Sequence, residues 1–320
     1  MIVFSSLVDP HQNLAAEEWL LTHVTEPTLY LWQNAHTIVV GRHQNPFREL
    51  DVTRFQSDGG KIVRRLSGGG TVYHDLGNLN FTFLFPREQY DAQRSTEILL
   101  RAVQQLGIPA EKSGRNDLTA EGRKFSGNAF CVRKTGAYHH GTLLLNTDME
   151  QLGRYLTVDP AKMQSKGIKS VRSRVVNLCE YRPDLTIDDL KKTVTAAFLD
   201  EFGGDSNILD TQILPKIEID ALAAKYASWD WTFGETPDFD VRFATRFSWG
   251  GLSIAFASED GKITSVSVET DAMDTEIGTL LPALLTGTAY NAVSIAAALH
   301  GSADKAEHLD EIAVWLEKQI

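Results

Sequence analysis

The sequence has only two cysteines and lacks any long hydrophobic run. Cys131 and Cys179 are too few for a disulfide framework, which predicts a reducing compartment, the cytoplasm. No apolar stretch approaches the roughly 18 to 20 residues that a membrane helix needs. The N-terminus has no basic segment and reaches Asp9 early, which argues against a signal peptide. We therefore expect no membrane partner.

A strong positive charge is also missing. The 320-residue chain has a net charge of −11, whereas a dedicated nucleic-acid binder needs a basic surface, so no nucleic-acid partner is predicted. Residues 1–174 carry 21 basic and 17 acidic residues, a net charge of +4, and residues 175–320 carry 10 and 25, a net charge of −15. The basic half suits small anions such as nucleotide phosphates; the alternative is an uneven surface charge without a function.

The familiar phosphate-loop and zinc motifs are absent. Gly59-Gly60-Lys61 is followed by Ile62 and lacks the upstream glycine of a G-x-x-x-x-G-K-[ST] loop. The dinucleotide pattern G-x-G-x-x-G fails because Tyr73 replaces its third glycine, and no H-E-x-x-H or C-x-x-C occurs. Phosphoryl transfer on a P-loop and a tightly bound protein metal site are therefore not predicted.

What the chain does contain is ordinary globular composition, 42% hydrophobic and 23% charged. Short strand patterns with few long helices between them favour an α+β fold with a large mixed sheet. We predict a catalytic domain over residues 1–237, which ends in an aromatic tether at 228–237, and a small α/β accessory domain over 238–320. The predicted helices are 13–24, 93–106, 186–202, 273–285 and 306–318, and the predicted strands are 28–32, 37–41, 61–65, 71–74, 79–85, 123–132, 137–145, 239–247, 252–257 and 263–268.

A glycine-rich turn is the densest feature. Arg64 and Arg65 precede three consecutive glycines, and Tyr73-His74-Asp75 follows. Glycines let backbone N–H groups approach an anion closely, and a guanidinium fork matches carboxylate or phosphate oxygens. The pattern favours an anion-binding turn over a flexible hairpin with surface arginines.

A second cluster surrounds Lys124. This lysine begins a predicted strand in which Ser126 and Gly127 are small enough to leave room for a ligand. A lysine there is a mobile cation that can follow phosphate or carboxylate oxygens, and the alternative is an exposed lysine at a strand edge. Nearby Asn116 and Asp117 either bind Mg²⁺ or a hydroxyl group, or only form an Asx-turn.

Two further features follow along the chain. His139 and His140 are adjacent on a predicted strand, so they point to opposite faces and cannot chelate one metal together. Each is expected to be structural or to contact substrate. Residues 162–174 contain five basic residues and no acidic residue, which suggests either a loop that closes over an anionic intermediate or a solvated basic turn.

These clusters, in this order, closely resemble the lipoate–protein ligase A family of the biotin/lipoyl protein ligase superfamily. The resemblance covers almost the whole chain, and Arg-Arg-x-Ser-Gly-Gly-Gly and His-His-Gly-Thr-Leu-Leu-Leu-Asn are its most specific stretches. The matching stretches are 13–18, 41–46, 64–81, 114–118, 123–129, 139–146, 165–178 and 247–251.

The resemblance implies a two-step reaction. Lipoate attacks the α-phosphorus of ATP, which releases pyrophosphate and leaves lipoyl-AMP, and a lysine of an acceptor protein then takes the lipoyl group. It also implies Mg²⁺, bound through the nucleotide with Asp117 as a candidate protein ligand. The expected acceptors are apo lipoyl domains of 2-oxoacid dehydrogenase complexes or the glycine-cleavage H protein, the acid is lipoate or octanoate, and the enzyme is expected to be a monomer.

The resemblance also assigns residues. Lys124 is the expected catalytic residue. The residues expected to bind ATP or the adenylate are Arg65, Gly68, Gly69, Gly70, Thr71, Val72, Tyr73, His74, Asn116, Asp117 and Lys124. The residues expected to bind lipoate are Trp32, Arg65, Lys124 and His140. The loop expected to cover the adenylate includes Lys166, Gly167, Lys169 and Arg172.

Two alternatives stay open. Related octanoyl- and lipoyl-transferases use a cysteine acyl-enzyme, but neither Cys131 nor Cys179 has an obvious activating neighbour, so packing roles are expected for both. The second domain also favours a ligase over a transferase without its own activation step, and we expect it to serve adenylation. A non-enzymatic binding module would need a broken anion site, whereas Arg65, the glycines and Lys124 are all present.

Overall fold

The structure is a computed structural model that describes residues 1–114, 117–155, 175–204, 207–233, 241–259, 261–302 and 308–320, without the side chains of residues 47, 48 and 152. The chain divides into two compact units. The first comprises Met1–Val40, Pro46–Arg65 and Thr71–Phe233, and the second comprises Gly41–Asn45, Leu66–Gly70 and Gly234–Ile320. The predicted domain boundary at 237/238 stays a prediction, because it lies outside the described residues.

A mixed sheet of eight strands forms the centre of the first unit and confirms the predicted α+β class. Its spatial order is β11-β1-β2-β6-β10-β9-β8-β7, in which β11, β1 and β2 are parallel and the other pairs are antiparallel. The strands are β1 Ile2–Phe4, β2 Thr28–Trp32, β6 Asn78–Pro86, β7 Ala110–Ser113, β8 Asp117–Ala120, β9 Arg123–Val132, β10 Gly136–Leu144 and β11 Ile208–Asp210.

A small sheet and several helices complete the first unit. The small sheet has the order β4-β3-β5, with β3 Thr37–Val40, β4 Lys61–Arg64 and β5 Val72–His74. It places Arg65 at the end of β4 and His74 at the end of β5. The helices are α1 Pro10–His23, α2 Pro46–Glu49, α3 Val52–Ser57, α4 Ala92–Gln105, α5 Met149–Tyr155, α6 Ile187–Phe202, α7 Lys216–Ala227 and α8 Trp229–Thr232.

Residue alternation gives the large sheet two different faces. One face carries the apolar residues of β2, β6 and β10, such as Leu31, Phe81 and Leu143, which pack in one core with residues of α4 and α6. The residues between them, among them Trp32 and Thr82, lie on the opposite face, where α1 packs. This second face is buried and polar, and it carries the candidate site.

Local capping explains where two helices begin. Asp9 accepts hydrogen bonds from the N–H groups of His11 and Gln12, with Pro10 in the first turn, so α1 begins three residues before the predicted start. Thr186 and Asp189 form a capping box at the start of α6, which is where the predicted helix 186–202 begins.

The second unit contains a three-stranded antiparallel sheet, β12 Val241–Phe247, β13 Gly250–Glu259 and β14 Lys262–Thr270. Three helices pack with it around one apolar core, α9 Ile277–Leu285, α10 Ala292–His300 and α11 Leu309–Leu316. Sequence analysis predicted only two of these helices and missed α10. In the part of the chain that the structure describes, no helix is long and apolar enough to cross a membrane.

Candidate active site

A buried hydrogen-bond chain crosses the polar face of the large sheet. Trp32 Nε1 donates to Thr82 Oγ1 (3.1 Å), and Thr82 Oγ1 donates to Glu17 Oε1 (2.7 Å). His140 Nδ1 donates to the same carboxylate oxygen from the next strand (2.9 Å). Because an indole N–H can only donate, this chain fixes the orientation of the Trp32 ring. Trp32 and His140, both predicted to bind lipoate, therefore belong to one network.

Arg65 adds a buried positive charge at the end of β4. Its Nη1 donates to the carbonyl oxygen of Val39 (3.2 Å). Burial lowers the pKa of Arg65 to about 10, against the charges of Tyr138 and Glu17, which act to raise it. The guanidinium is therefore still cationic at neutral pH, as an anion site requires.

The neighbouring Arg64 donates hydrogen bonds to backbone carbonyl groups, and its expected part in anion binding stays a prediction. Its Nε donates to the carbonyl oxygen of Trp231 (3.1 Å) and its Nη2 to that of Thr232 (2.7 Å). Trp231 Nε1 in turn donates to the Arg64 carbonyl oxygen (2.9 Å). These bonds attach α8, the first part of the predicted tether, to β4.

The side chains of Tyr73 and His74 point to opposite faces of the small sheet. Tyr73 is buried with Phe55 and Tyr155 in an apolar cluster, and its hydroxyl bonds His36 Nδ1 (3.0 Å). Any contact of Tyr73 with a nucleotide would therefore involve its backbone. His74 points the other way, and its ring centroid lies 6.2 Å from that of Trp32. Thr71 and Val72 are half-buried.

Lys124 and Asp117 face each other across β8 and β9. Lys124 Nζ lies 2.7 Å from Asp117 Oδ1, and the two side chains are 37% and 45% exposed. A Cβ atom on Gly127 would lie 3.2 Å from Lys124 Nζ, so this glycine leaves room for the lysine side chain itself, and the predicted room for a ligand stays a prediction. Within the described ranges, no three His, Cys, Asp or Glu side chains group together as metal ligands.

The two adjacent histidines point to opposite faces, as predicted. His139 lies in the core, where Nδ1 bonds Ser95 Oγ (2.7 Å) and Nε2 bonds Asn128 Oδ1 (2.9 Å). Burial, together with the charges of His140 and Lys112, lowers the pKa of His139 to about 3. His139 is therefore a neutral structural residue, while His140 faces the site.

The glycine turn belongs to the second unit. Gly69 N–H donates to the carbonyl oxygen of Ala272 (3.0 Å), and a Cβ atom on Gly68 would lie 2.2 Å from that oxygen. Gly69 also has φ of +89°, a left-handed conformation that favours glycine. Two of the three glycines are thus required by packing and backbone conformation within this unit.

The remaining predicted site residues cannot be placed in the described part of the chain. Asn116, Lys166, Gly167, Lys169 and Arg172 lie outside the described residues; the described chain resumes at residue 175, where the backbone N–H of residue 176 donates to the carbonyl oxygen of residue 124 (2.8 Å).

Neither cysteine is activated. Burial raises the pKa of the Cys131 thiol to about 11 and also raises the pKa of Cys179. This agrees with the packing roles expected for both residues.

Sequence analysis missed four polar residues of this region: Asn13, Glu17, Asn34 and Thr82. One pattern indicates two of them. Asn13 and Glu17 are separated by four positions and fall in the apolar stripe of α1, and both are buried. A polar residue in such a stripe needs a hydrogen-bond partner.

Comparison with known proteins identifies the family. Residues 9–199 match the model of the lipoyl protein ligase A/B catalytic domain, and residues 236–316 match that of the bacterial lipoate protein ligase C-terminus. The lipoate-protein ligase A of Psychrobacter cryohalolentis is 38% identical over 330 residues, which cover 98% of this chain and 97% of that protein.

Comparison with solved structures also points to lipoate ligases. Plasmodium falciparum LipL1 in complex with lipoate matches with a TM-score of 0.89 and 27% identity, over 99% of each chain. A bipartite lipoate protein ligase from Thermoplasma acidophilum, studied with its E2 lipoyl domain, matches with a TM-score of 0.65 and 25% identity, over 75% of this chain and 98% of that one. Because the catalytic-domain match spans more than half of the chain and the Psychrobacter relative nearly all of it, this chain belongs to the lipoate–protein ligase family.

Proposed function

We propose that this chain uses ATP to activate lipoate and then transfers the lipoyl group to a lysine of an acceptor lipoyl domain. The observation that carries the proposal is the buried, cationic Arg65 near a polar sheet face that also holds Trp32 and His140. An acid substrate needs such a charge for its carboxylate, and it needs an apolar wall such as the Trp32 ring for its hydrocarbon chain.

In the first step, a carboxylate oxygen of lipoate attacks the α-phosphorus of ATP. A new P–O bond forms, the bond between the α-phosphorus and the bridging oxygen breaks, and pyrophosphate leaves with its electron pair. Negative charge accumulates on phosphate oxygens in this step, so positive groups near them stabilise the transition state. Lys124 is suited to this role because its half-exposed ammonium is held only by Asp117 in the described contacts and is free to follow moving oxygens.

The sheet also offers the length that the acyl chain needs. Lys124 lies over Gly127 on β9, and Trp32 lies on β2 with β10 and β6 between them. Three strand spacings separate β9 from β2, which is about 14 Å. An extended C8 acid, lipoate or octanoate, fits across these four strands between Lys124 and Trp32.

In the second step, the neutral ε-amine of the acceptor lysine attacks the acyl carbon and forms a C–N bond. The bond from this carbon to the phosphate oxygen breaks, AMP leaves with that electron pair, and the nitrogen gives up one proton to solvent as the amide forms. The proposed acceptors are lipoyl domains of 2-oxoacid dehydrogenase complexes or the glycine-cleavage H protein. The Thermoplasma ligase, described with its own E2 lipoyl domain, supports the first choice.

Magnesium is proposed as part of the nucleotide substrate. Among the described residues, Asp117 is the candidate ligand on the protein, and its carboxylate already pairs with Lys124 at 2.7 Å. The phosphates of ATP would therefore supply most of the ligands, and Mg²⁺ prefers such oxygen ligands.

Lipoate-dependent exchange of labelled pyrophosphate into ATP tests the proposal. The ligase should catalyse exchange only with lipoate or octanoate, and it should then add one lipoyl group to an apo lipoyl domain, measured by mass spectrometry. A transferase without an activation step would give no exchange. A biotin ligase would respond to biotin instead, and either result would reject the proposal.

A further inference from the structure

A chain of buried amides leads from α1 to His74. Asn13 Nδ2 donates to the carbonyl oxygen of Gln33 (2.8 Å) and to Asn34 Oδ1 (3.0 Å). Asn13 Oδ1 accepts from the hydroxyls of Ser5 (2.7 Å) and Tyr30 (3.2 Å). A carbonyl oxygen can only accept, so the Asn13 nitrogen must face Gln33, and the orientation of this amide is fixed.

The orientation of Asn13 determines that of Asn34, which is fully buried. The Asn34 oxygen faces the Asn13 nitrogen, so the Asn34 nitrogen faces His74 Nδ1, at 3.3 Å. The reverse orientation would place two amide nitrogens against each other, and both can only donate. His74 Nδ1 is therefore an acceptor and carries no proton.

His74 is also neutral. Burial, together with the electrostatic effects of Arg65 and His140, lowers the pKa of His74 to about 3. A neutral imidazole with an unprotonated Nδ1 carries its proton on Nε2. Among the described residues, this buried Nε2–H has no hydrogen-bond partner.

An unpartnered buried donor costs free energy, which a bound acceptor would recover. The His74 ring lies edge-on to Trp32 on the side of the site. We propose that Asn13 and Asn34 are positioning residues that hold His74 as a neutral Nε2–H donor for a carboxyl oxygen of the bound acid. This inference rests on the proposed function for the identity of the acid, whereas the tautomer follows from the hydrogen bonds alone.

The tautomer is measured on the full-length protein without substrate. Long-range ¹H–¹⁵N correlation spectra of protein labelled at its histidines distinguish a protonated from an unprotonated ring nitrogen, and the His74 signals are those lost in His74→Gln. We expect an unprotonated Nδ1 and a protonated Nε2. A protonated Nδ1 in the wild-type protein would overturn the proposal, and this measurement needs no other variant to fold.

Asn34→Asp tests the positioning role. The substitution keeps an oxygen for Asn13 and replaces the donor that faces His74 by an acceptor, so Nδ1 should become protonated. Lipoate binding should weaken about tenfold, the usual value of one hydrogen bond. The matched control is Asn291→Asp, at an exposed N-cap whose side-chain oxygen accepts from the Ser294 N–H in either form. It should change neither the His74 signals nor binding, and unchanged His74 signals in Asn34→Asp would refute the positioning role.

Ligand additions identify the acceptor. Lipoate and octanoate share the carboxyl group, so each alone should shift the His74 Nε2 signal. If ATP alone shifts the His74 Nε2 signal and neither acid does, the acid is not the acceptor of this hydrogen bond. The conclusion about the tautomer would still hold. Failure of the pyrophosphate exchange assay, with the expected tautomer, would reject the proposed function and not the role of Asn34.

Discussion

Replacement of Lys124 by alanine separates the chemical role of this residue from its structural role. The side chain pairs with Asp117 at 2.7 Å, but both partners are more than one-third exposed. Such an exposed pair contributes about 0 to 1 kcal/mol to stability. The free energy of unfolding of Lys124→Ala should therefore lie within about 1 kcal/mol of the wild-type value.

The expected effect on adenylation is much larger. In the proposed reaction, charge develops on the phosphate oxygens as pyrophosphate leaves, so the Lys124 ammonium would stabilise the transition state more than bound ATP. Deletion of one such preorganised contact lowers the rate by roughly 10²- to 10³-fold, or about 2.7 to 4 kcal/mol. Lys124→Arg should restore only part of the rate, because a planar guanidinium follows the moving oxygens less well than a compact ammonium.

Single-turnover formation of lipoyl-AMP measures this effect, with urea unfolding as the measure of stability. Arg123→Ala is the matched control, because Arg123 is adjacent on β9 but pairs with Glu180 at 2.8 Å and contacts Tyr181. It should retain near wild-type adenylation. A folded Lys124→Ala protein that forms lipoyl-AMP at the wild-type rate would refute the reasoning, as would an equal loss in Arg123→Ala.

Three further predictions concern the glycine turn and the buried histidines. Gly68→Ala should destabilise the second unit by about 1 to 3 kcal/mol in urea unfolding, because the new Cβ would lie 2.2 Å from the Ala272 carbonyl oxygen. Gly70→Ala should leave stability unchanged, since no described atom lies within 4 Å of the new Cβ, but it should raise the KM for ATP in steady-state assays by holding the phosphates away from the backbone. Lowering the pH from 7 to 5 should reduce the free energy of unfolding by about 2 kcal/mol for each of His74 and His139, and His139→Gln should remove half of that dependence.

The sign of the pH effect follows from the folded pKa values. Both histidines have pKa values lowered to about 3 by burial, whereas an unfolded histidine titrates near 6.5. The unfolded chain therefore binds more protons throughout this interval, and stability falls as the pH falls below about 6.5. A pH-independent free energy of unfolding between pH 7 and 5 would contradict the assignment. For the turn, equal stability of the Gly68 and Gly70 variants would contradict the packing argument.

Local patterns were sufficient to predict most of the fold. The strand predictions 28–32 and 123–132 agree with β2 and β9, because alternation and flanking turn residues mark them within a few positions. The helix α10 was missed although Asn291 caps it and its alanines favour a helix, because it spans only nine residues and shows little contrast between an apolar and a polar face. Ile295 and Leu299 of this helix stabilise it by packing in the core of the second unit, and no local sequence pattern shows that packing.

The candidate site was predictable only in part, because some of its residues depend on contacts between distant parts of the chain. Glycine and fixed charge indicate anion binding from a few consecutive residues, so Arg65 and Lys124 could be predicted as candidates from the sequence. The partners of Glu17 are 65 and 123 positions away in sequence. No local pattern specifies that α1 lies over this face of the sheet, and the role of Glu17 depends entirely on that placement.

The glycine turn shows how one segment serves two requirements that the sequence cannot separate. Three glycines are explained equally well by anion binding and by close packing. Within the second unit, Gly68 is needed for its contact with Ala272, and the Gly69 N–H is already bonded to the same carbonyl oxygen. A phosphate that used the Gly69 N–H would have to displace that bond. Under the proposed function, the phosphates of ATP and the Ala272 carbonyl oxygen would therefore compete for one donor, which is a physical reason to expect that the second unit influences adenylation.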